Sequence, residues 1–162
     1  MYLRRLGFAC HSLSDIVREE AARRGLPPER EHLIRIGNLL RQEGGAGVLA
    51  ERILPRLGQR DAVDSIRNPT EVEVLRRLPS FLLAGVRAPA ELRFERCRAR
   101  ARAGDPESFE EFRARERQEE GTLPTAQQLS ATFKLADVVV DNGGDIGQLH
   151  REIDRILADR PH

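Results

Sequence analysis

The stretch Asp64-Ser65-Ile66-Arg67-Asn68-Pro69-Thr70-Glu71-Val72 passes from a short apolar run into a helix start. Ala62 to Ile66 reads as a strand. Asn68-Pro69 reads as a helix opening, with asparagine as N-cap and proline at the first helical position. A strand that feeds straight into a helix belongs to an α/β chain with a mostly parallel sheet.

The same alternation continues in both directions. Phe8 to Leu13 reads as a first strand. Ser12 to Asp15 then spells a capping-box-like S-x-x-[DE] start, with a helix to about Arg24. Gly25-Leu26-Pro27-Pro28 stops it. A second helix, about Glu29 to Gln42, places Leu33, Ile36, Leu39 and Leu40 on one face. After Gly44, Gly45 and Gly47, a third carries Val48, Leu49, Ile53, Leu54 and Leu57. Beyond the opening stretch, Phe81 to Val86 reads as a third, buried strand. Helices follow at about Pro89–Ala103, from Asp105-Pro106 to about Glu119, and near Thr125–Lys134. Ala136 to Val140 is a fourth strand. Asn142-Gly143-Gly144 turns the chain into a last helix with Ile146, Leu149, Ile153, Ile156 and Leu157 on one face.

The 162 residues suit one compact domain, and no repeat or linker divides them, so 1–162 reads as a single domain. The 27 basic and 26 acidic residues nearly cancel, which argues against a whole-surface field for nucleic acid or anionic lipid. Aromatics at 4% also leave few stacking platforms for RNA. No apolar run approaches the roughly 20 residues of a membrane span. Cys10 and Cys97 stand far apart and fit a reducing, cytoplasmic compartment better than a disulfide scaffold. The four histidines show no metal-ligand spacing, so no metal ligands are read from them. Cys97 shares a spacing with Phe94 that fits a buried helix face.

The arginines carry more information, because Lys134 is the sole lysine. Arg93, Arg96 and Arg100 share one helical face, which suits polyphosphate oxygens or, equally, pairing with the acids from Glu107 to Glu120. Arg18 and Arg67 stand beside strand ends, where open parallel sheets bind ligands, and Arg41 ends the second helix. Asp64 closes its strand, where an acid either holds a Mg²⁺-bound water or serves the structure.

In combination, these residues resemble P-loop nucleotide kinases similar to dephospho-CoA kinase and adenylate kinase. Ser12-Leu13-Ser14-Asp15-Ile16-Val17-Arg18-Glu19-Glu20 resembles the segment after their second strand. The opening stretch resembles their D-[GS]-I-R-[NS]-P-x-E-V segment. Arg93-Phe94-Glu95-Arg96, with Arg100 and Asp105, resembles the start of their lid, placed here at about 93–122. Ala136-Asp137 through Asn142-Gly143-Gly144 resembles their A-D-x-[VI]-[VI]-x-N-x-G ending near the base. The order and spacing of these pieces, from about Leu3 to Leu157, carry the resemblance.

The resemblance implies a three-layer α/β fold with a five-stranded parallel sheet flanked by helices. It implies transfer of the γ-phosphate of ATP, with Mg²⁺, to a nucleotide or nucleotide-like small molecule. By position, Asp15, Arg18, Arg41 and Arg67 would serve the acceptor. Arg96 and Arg100 would come from the lid to the transferring group, and Asp64 would support Mg²⁺. Asn142 and Gly143 would lie near the base.

The family opens with a strand and a G-x-x-x-x-G-K-[ST] loop that cradles the phosphates, and no such sequence occurs here. Met1 to Phe8 resembles the end of the helix that should follow that loop. The comparison implies that about fifteen to twenty residues, including the central first strand, are missing. Their loss would leave two unpaired edges in the middle of the sheet and favour self-association. The expectation is a kinase-like domain inactive in this form. Three explanations compete: Met1 is an internal methionine or misread start codon of a longer gene, the chain is a true remnant, or another polypeptide completes the fold. The alternative function is a non-catalytic nucleotide-sensing or protein-interaction module.

Overall fold

The computed structural model of the chain describes residues 2–101, 105–118 and 126–159. Two compact units are present. The first takes 2–81 with 118 and 126–135; the second takes 82–101, 105–117 and 136–159. The fold is mixed α/β, with short parallel sheets and many helices.

The first unit begins with a helical turn, α1 (Tyr2–Arg5), and strand β1 (Ala9–Ser12). Helices α2 (Leu13–Arg23), α3 (Arg30–Gly44) and α4 (Val48–Ile53) follow, with a 3₁₀ turn at Leu54–Arg56. Strand β2 (Asp61–Asp64) pairs parallel with β1, in the register Ala9 to Asp61 and Ser12 to Asp64. Helix α5 (Pro69–Leu75) and the later α8 (Leu129–Lys134) complete the unit. Its core joins the expected faces of α3 (Ile36 and Leu40) and α4 (Leu49 and Ile53) to Leu13, Ile16 and Val17 of α2 and Val74 and Leu75 of α5. Burying such side chains stabilises by roughly 1.5–3 kcal/mol each.

Two local expectations for this unit change. Ser12 does occupy the N-cap of α2, yet its hydroxyl makes no cap hydrogen bond because Ser14, Asp64 and Ser65 engage it instead. The second strand stops at Asp64 rather than Ile66, because Ser65 has φ 63°, a left-handed conformation that ends the ladder. The Asn68-Pro69 reading holds in full. Asn68 Oδ1 accepts from Thr70 N at 2.9 Å, and Glu71 reaches back to the Asn68 N–H, closing a capping box.

The second unit pairs β3 (Ala84–Arg87) with β4 (Val138–Asp141), again in parallel. It also holds α6 (Ala90–Arg100), α7 (Phe109–Gln118) and α9 (Ile146–Ala158). The strand expected at Phe81–Val86 begins only at Ala84 and is not buried: Gly85 is covered, but Val86 is 57% exposed. An all-apolar run reads as buried on both faces only where both faces are covered, and in a two-stranded sheet that condition is not met at Val86. Leu83 does contribute to the interior, and its N–H donates to Asp137 Oδ2 at 2.8 Å. Helix α7 starts at Phe109 rather than at Asp105-Pro106, with Ser108 Oγ accepting from Glu111 N. The expected helix ends at Ala103 and Glu119 and the start at Thr125 lie outside the described residues, as does part of the 93–122 lid segment. Among the described residues no helix is long and apolar enough to cross a membrane.

Glu20 on α2 is nearly buried and accepts from Arg23 at 2.6 and 3.0 Å and from Arg24 at 2.5 Å. The Arg23 bond, then the Arg24 bond, holds its carboxyl down at about 2 against an ordinary 4.5. A depressed carboxyl contributes its stability above the unfolded value and loses it as pH falls through the folded one. Glu20→Gln is therefore expected to lower unfolding free energy by about 1–2 kcal/mol at neutral pH. The deficit against wild type should shrink as pH falls from about 5 towards 2, as read by urea titration; a constant deficit would contradict this account. Asn68→Ala removes the cap and the Nδ2 bond to Ala126 O, and should lower stability by about 2 kcal/mol in the same assay.

Candidate functional site

The carboxyl ends of β1 and β2 lie side by side, because the ladder pairs Ser12 with Asp64. Around them a line of hydrogen bonds gathers residues from two distant segments. Arg18 Nη1 donates to Ser14 Oγ at 2.8 Å, and Ser14 Oγ lies 2.8 Å from Ser12 Oγ. Ser12 Oγ lies 3.0 Å from Ser65 Oγ, and Ser65 Oγ donates to Asp64 Oδ1 at 2.9 Å. With Arg18 donating to Ser14, Ser14 to Ser12, and Ser12 and Ser65 each to Asp64 Oδ1, every hydroxyl gives its one proton once, from the guanidinium at one end to the carboxylate at the other. Ser12 Oγ donates to Asp64 Oδ1 directly. Arg18 additionally pairs with Asp15 at 2.7 Å, one helical turn back. Asp15, Arg18 and Asp64 are thus brought together, all exposed. The hydroxyls of Ser12, Ser14 and Ser65 are the linking residues that the arginine spacing did not single out. The S-L-S-D run and the D-S-I-R run were their signal.

Arg67 and Arg41 are brought together differently. Arg67 follows β2, half-buried, and its Nη1 donates to Gln127 Oε1 at 2.9 Å. Arg41 is 3% exposed and turns its guanidinium onto Glu71, itself 0% exposed. Arg41 Nε and Nη2 reach Glu71 Oε1 at 3.1 and 2.8 Å. Glu71 Oε2 accepts from Arg67 N at 2.8 Å and from Asn68 N at 3.1 Å.

In the second unit, the arginine face of α6 is exposed, and its members have separate partners. Arg93 donates to Ala88 O and pairs with Glu116 on α7. Arg96 Nη1 donates to Asn142 O at 2.8 Å. Arg100 lies 3.7 Å from Asp105 and 3.4 Å from Cys97 Sγ. Phe94 of α6 sits 5.7 Å, ring to ring, from both Phe109 and Phe112 of α7, zipping the two helices into a hairpin. Arg96 and Asn142 are therefore joined, while Arg100 stands apart from them. Gly143 completes the turn after β4, its N–H on Asp141 Oδ1 at 2.8 Å. A Cβ there would meet that oxygen at 2.9 Å and Pro89 at 3.3 Å, so only glycine fits without a shift.

Among the described residues no group of three or more His, Cys, Asp or Glu could hold a metal ion. Asp64 with the Ser12 and Ser65 hydroxyls is a hard oxygen set of the type that accompanies a phosphate-bound Mg²⁺ through water.

Comparison with known proteins adds the lineage. No family model matches the chain. Of the curated relatives, a UPF0200 protein of Hyperthermus butylicus is 38% identical over 159 residues, covering 96% of this chain and 83% of that protein. A UPF0200/UPF0201 protein of Archaeoglobus fulgidus is 35% identical over 95% of this chain, which spans about half (49%) of that relative's length. Among solved structures, the crystal structure of TT1252 from Thermus thermophilus, of P-loop kinase-like fold, matches with a TM-score of 0.56. It is 26% identical, with 99% of this chain and 89% of that chain covered. With 38% identity to the Hyperthermus butylicus protein over nearly its whole length, this chain belongs to the UPF0200 family.

Proposed function

We propose that the chain binds a nucleotide or nucleotide-like phosphate acceptor through its first unit, as the acceptor side of a kinase-like phosphoryl-transfer site. The observation that carries this reading is the cluster at the β1 and β2 ends. Arg18 is held at the head of a connected hydroxyl line, and Arg67 stands three residues beyond Asp64 at the same strand end. Guanidinium groups outside the carboxyl ends of parallel strands suit phosphate oxygens, which they grip with paired hydrogen bonds. In this reading Arg18, with Asp15 orienting it, and Arg67 take the acceptor phosphate. Asp64 supports Mg²⁺ through water. Bound Mg²⁺ would supply charge neutralisation for phosphate groups, and Ser12 and Ser65 would fix the Asp64 carboxylate toward it.

Arg96 and Arg100 lie on the exposed face of a lid-like helical hairpin, and the Asn142-Gly143 turn supplies a backbone edge for a base. A phosphate cradle for ATP is another matter. The 162 residues hold no G-x-x-x-x-G-K-[ST], and Lys134 lies on α8. That absence favours nucleotide recognition without turnover as the second reading for these residues alone.

Calorimetric titration with adenosine monophosphate tests the first reading. Saturable binding is expected, weakened roughly ten- to a hundredfold by Arg67→Ala or Arg18→Ala, the loss of a charge-assisted bond. Lys134→Ala should bind as wild type. Equal affinity in the Arg67 variant would remove its assigned role, and no binding at millimolar ligand would overturn the reading. Incubation of these residues with ATP and the monophosphate should give no diphosphate product; turnover would refute recognition without catalysis.

A further inference from the structure

We infer that Arg41 and Glu71 are positioning residues that fix the backbone of Arg67 and Asn68, and that Arg41 does not itself touch the acceptor. The consequence for acceptor binding rests on the function proposed above; the positioning does not.

One buried carboxylate gathers the donors of this region. Glu71 receives four N–H groups: two from the Arg41 guanidinium on Oε1, and the Arg67 and Asn68 amides on Oε2. A carboxylate has about four lone-pair sites, so its capacity is filled. Both partners are within 3% of full burial. If Arg41 turned outward to a ligand, Glu71 would remain as an uncompensated charge in the interior, a loss of several kcal/mol, about 3–5 by analogy with broken buried pairs. Its guanidinium is therefore committed.

Stability alone does not explain such a pair, since apolar side chains of similar volume serve a core as well or better. What apolar side chains cannot do is accept two backbone N–H groups from the loop between β2 and α5. The other side of that loop is held too. Arg67 O accepts from Gln128 N at 2.7 Å, and Asn68 Nδ2 donates to Ala126 O at 2.9 Å. With its N–H and C=O both engaged, Arg67 has a fixed Cα–Cβ direction, and the reach of its guanidinium follows from that direction.

Three variants of the full chain separate positioning from direct contact. Glu71→Gln puts an amide NH₂ against donors, so the Arg67 and Asn68 N–H groups lose their acceptor. Arg41→Met strands the carboxylate. The double variant Arg41→Met/Glu71→Gln has no buried charge, and its amide oxygen is again available to the two backbone N–H groups. Two readouts are taken: amide hydrogen exchange at Arg67 and Asn68, referenced to Ile53 in the core, and affinity for adenosine monophosphate.

Glu71→Gln should speed exchange at both amides about tenfold or more relative to Ile53 and weaken binding about tenfold. The double variant should return both to within about threefold of wild type, which defines rescue here. Unchanged exchange in Glu71→Gln would overturn the inference. So would a double variant with protected amides but lost binding, because Arg41 would then be a ligand. If Glu71→Gln fails to fold, the double variant decides by the same criteria. If wild type binds no monophosphate, the function proposed above fails, and exchange alone decides the positioning.

Discussion

The first unit is organised around one carboxylate that has no access to solvent. Glu71 sits in the first turn of α5, where negative charge is favoured by the helix dipole and by the unpaired amides of that turn. Those two effects alone would not hold a charge at 0% exposure. Arg41 supplies the rest from α3, thirty residues earlier in the chain. The pair therefore ties α3 to the start of α5, and through the loop amides it ties both to the end of β2. The close packing of Ile36, Leu40, Val74 and Leu75 in one core is the apolar counterpart of that link.

The second unit is built by different means. Its exposed helices meet through a three-phenylalanine cluster and a few arginine–acid pairs, and pairs of that exposed kind contribute little each. Geometry there is set chiefly by backbone bonds at strand ends: Leu83 with Asp137, Arg87 O with Asn142 N, and Asp141 with the Gly143 N–H. Asp145 caps α9 in the same manner, and its bonds from the Gln148 and Gly147 amides hold its carboxyl below the ordinary range. Arg96 belongs to this set, because its acceptor is a main-chain carbonyl rather than an acid.

Much of this was readable from residue types. Asn68-Pro69-Thr70-Glu71 is a capping box in its letters, and the structure closes it. The apolar residues read on α3 and α4 do lie in the core, since helix periodicity depends on side chains a few residues apart. What could not be read was set by partners far along the chain. Nothing local in Ser12 announces that its hydroxyl will serve Asp64 and Ser65 instead of capping α2. Nothing in Ser65 itself announces a left-handed backbone, which glycine would adopt more easily. A serine there accepts a strain of order 1–3 kcal/mol and supplies a second hydroxyl to Asp64, 3.0 Å from that of Ser12. The exposure of Val86 was likewise invisible, because an apolar run carries no record of how many strands its sheet contains.

The strand pairing also dictates an order of events in folding. Each ladder is parallel, and its paired residues are separated by a long crossover: Ser12 meets Asp64 and Arg87 meets Asp141. Chain closure over such distances loses entropy before any strand bond forms. Helices α2 to α4 lie inside the first crossover, and α6 to α8 inside the second, so their local contacts shorten the effective loop before the strands meet. The hydroxyl line between Ser12 and Asp64 requires that closure, because its members come from both sides of the first crossover. The residues proposed to meet the acceptor thus come together only in a chain whose first crossover is closed.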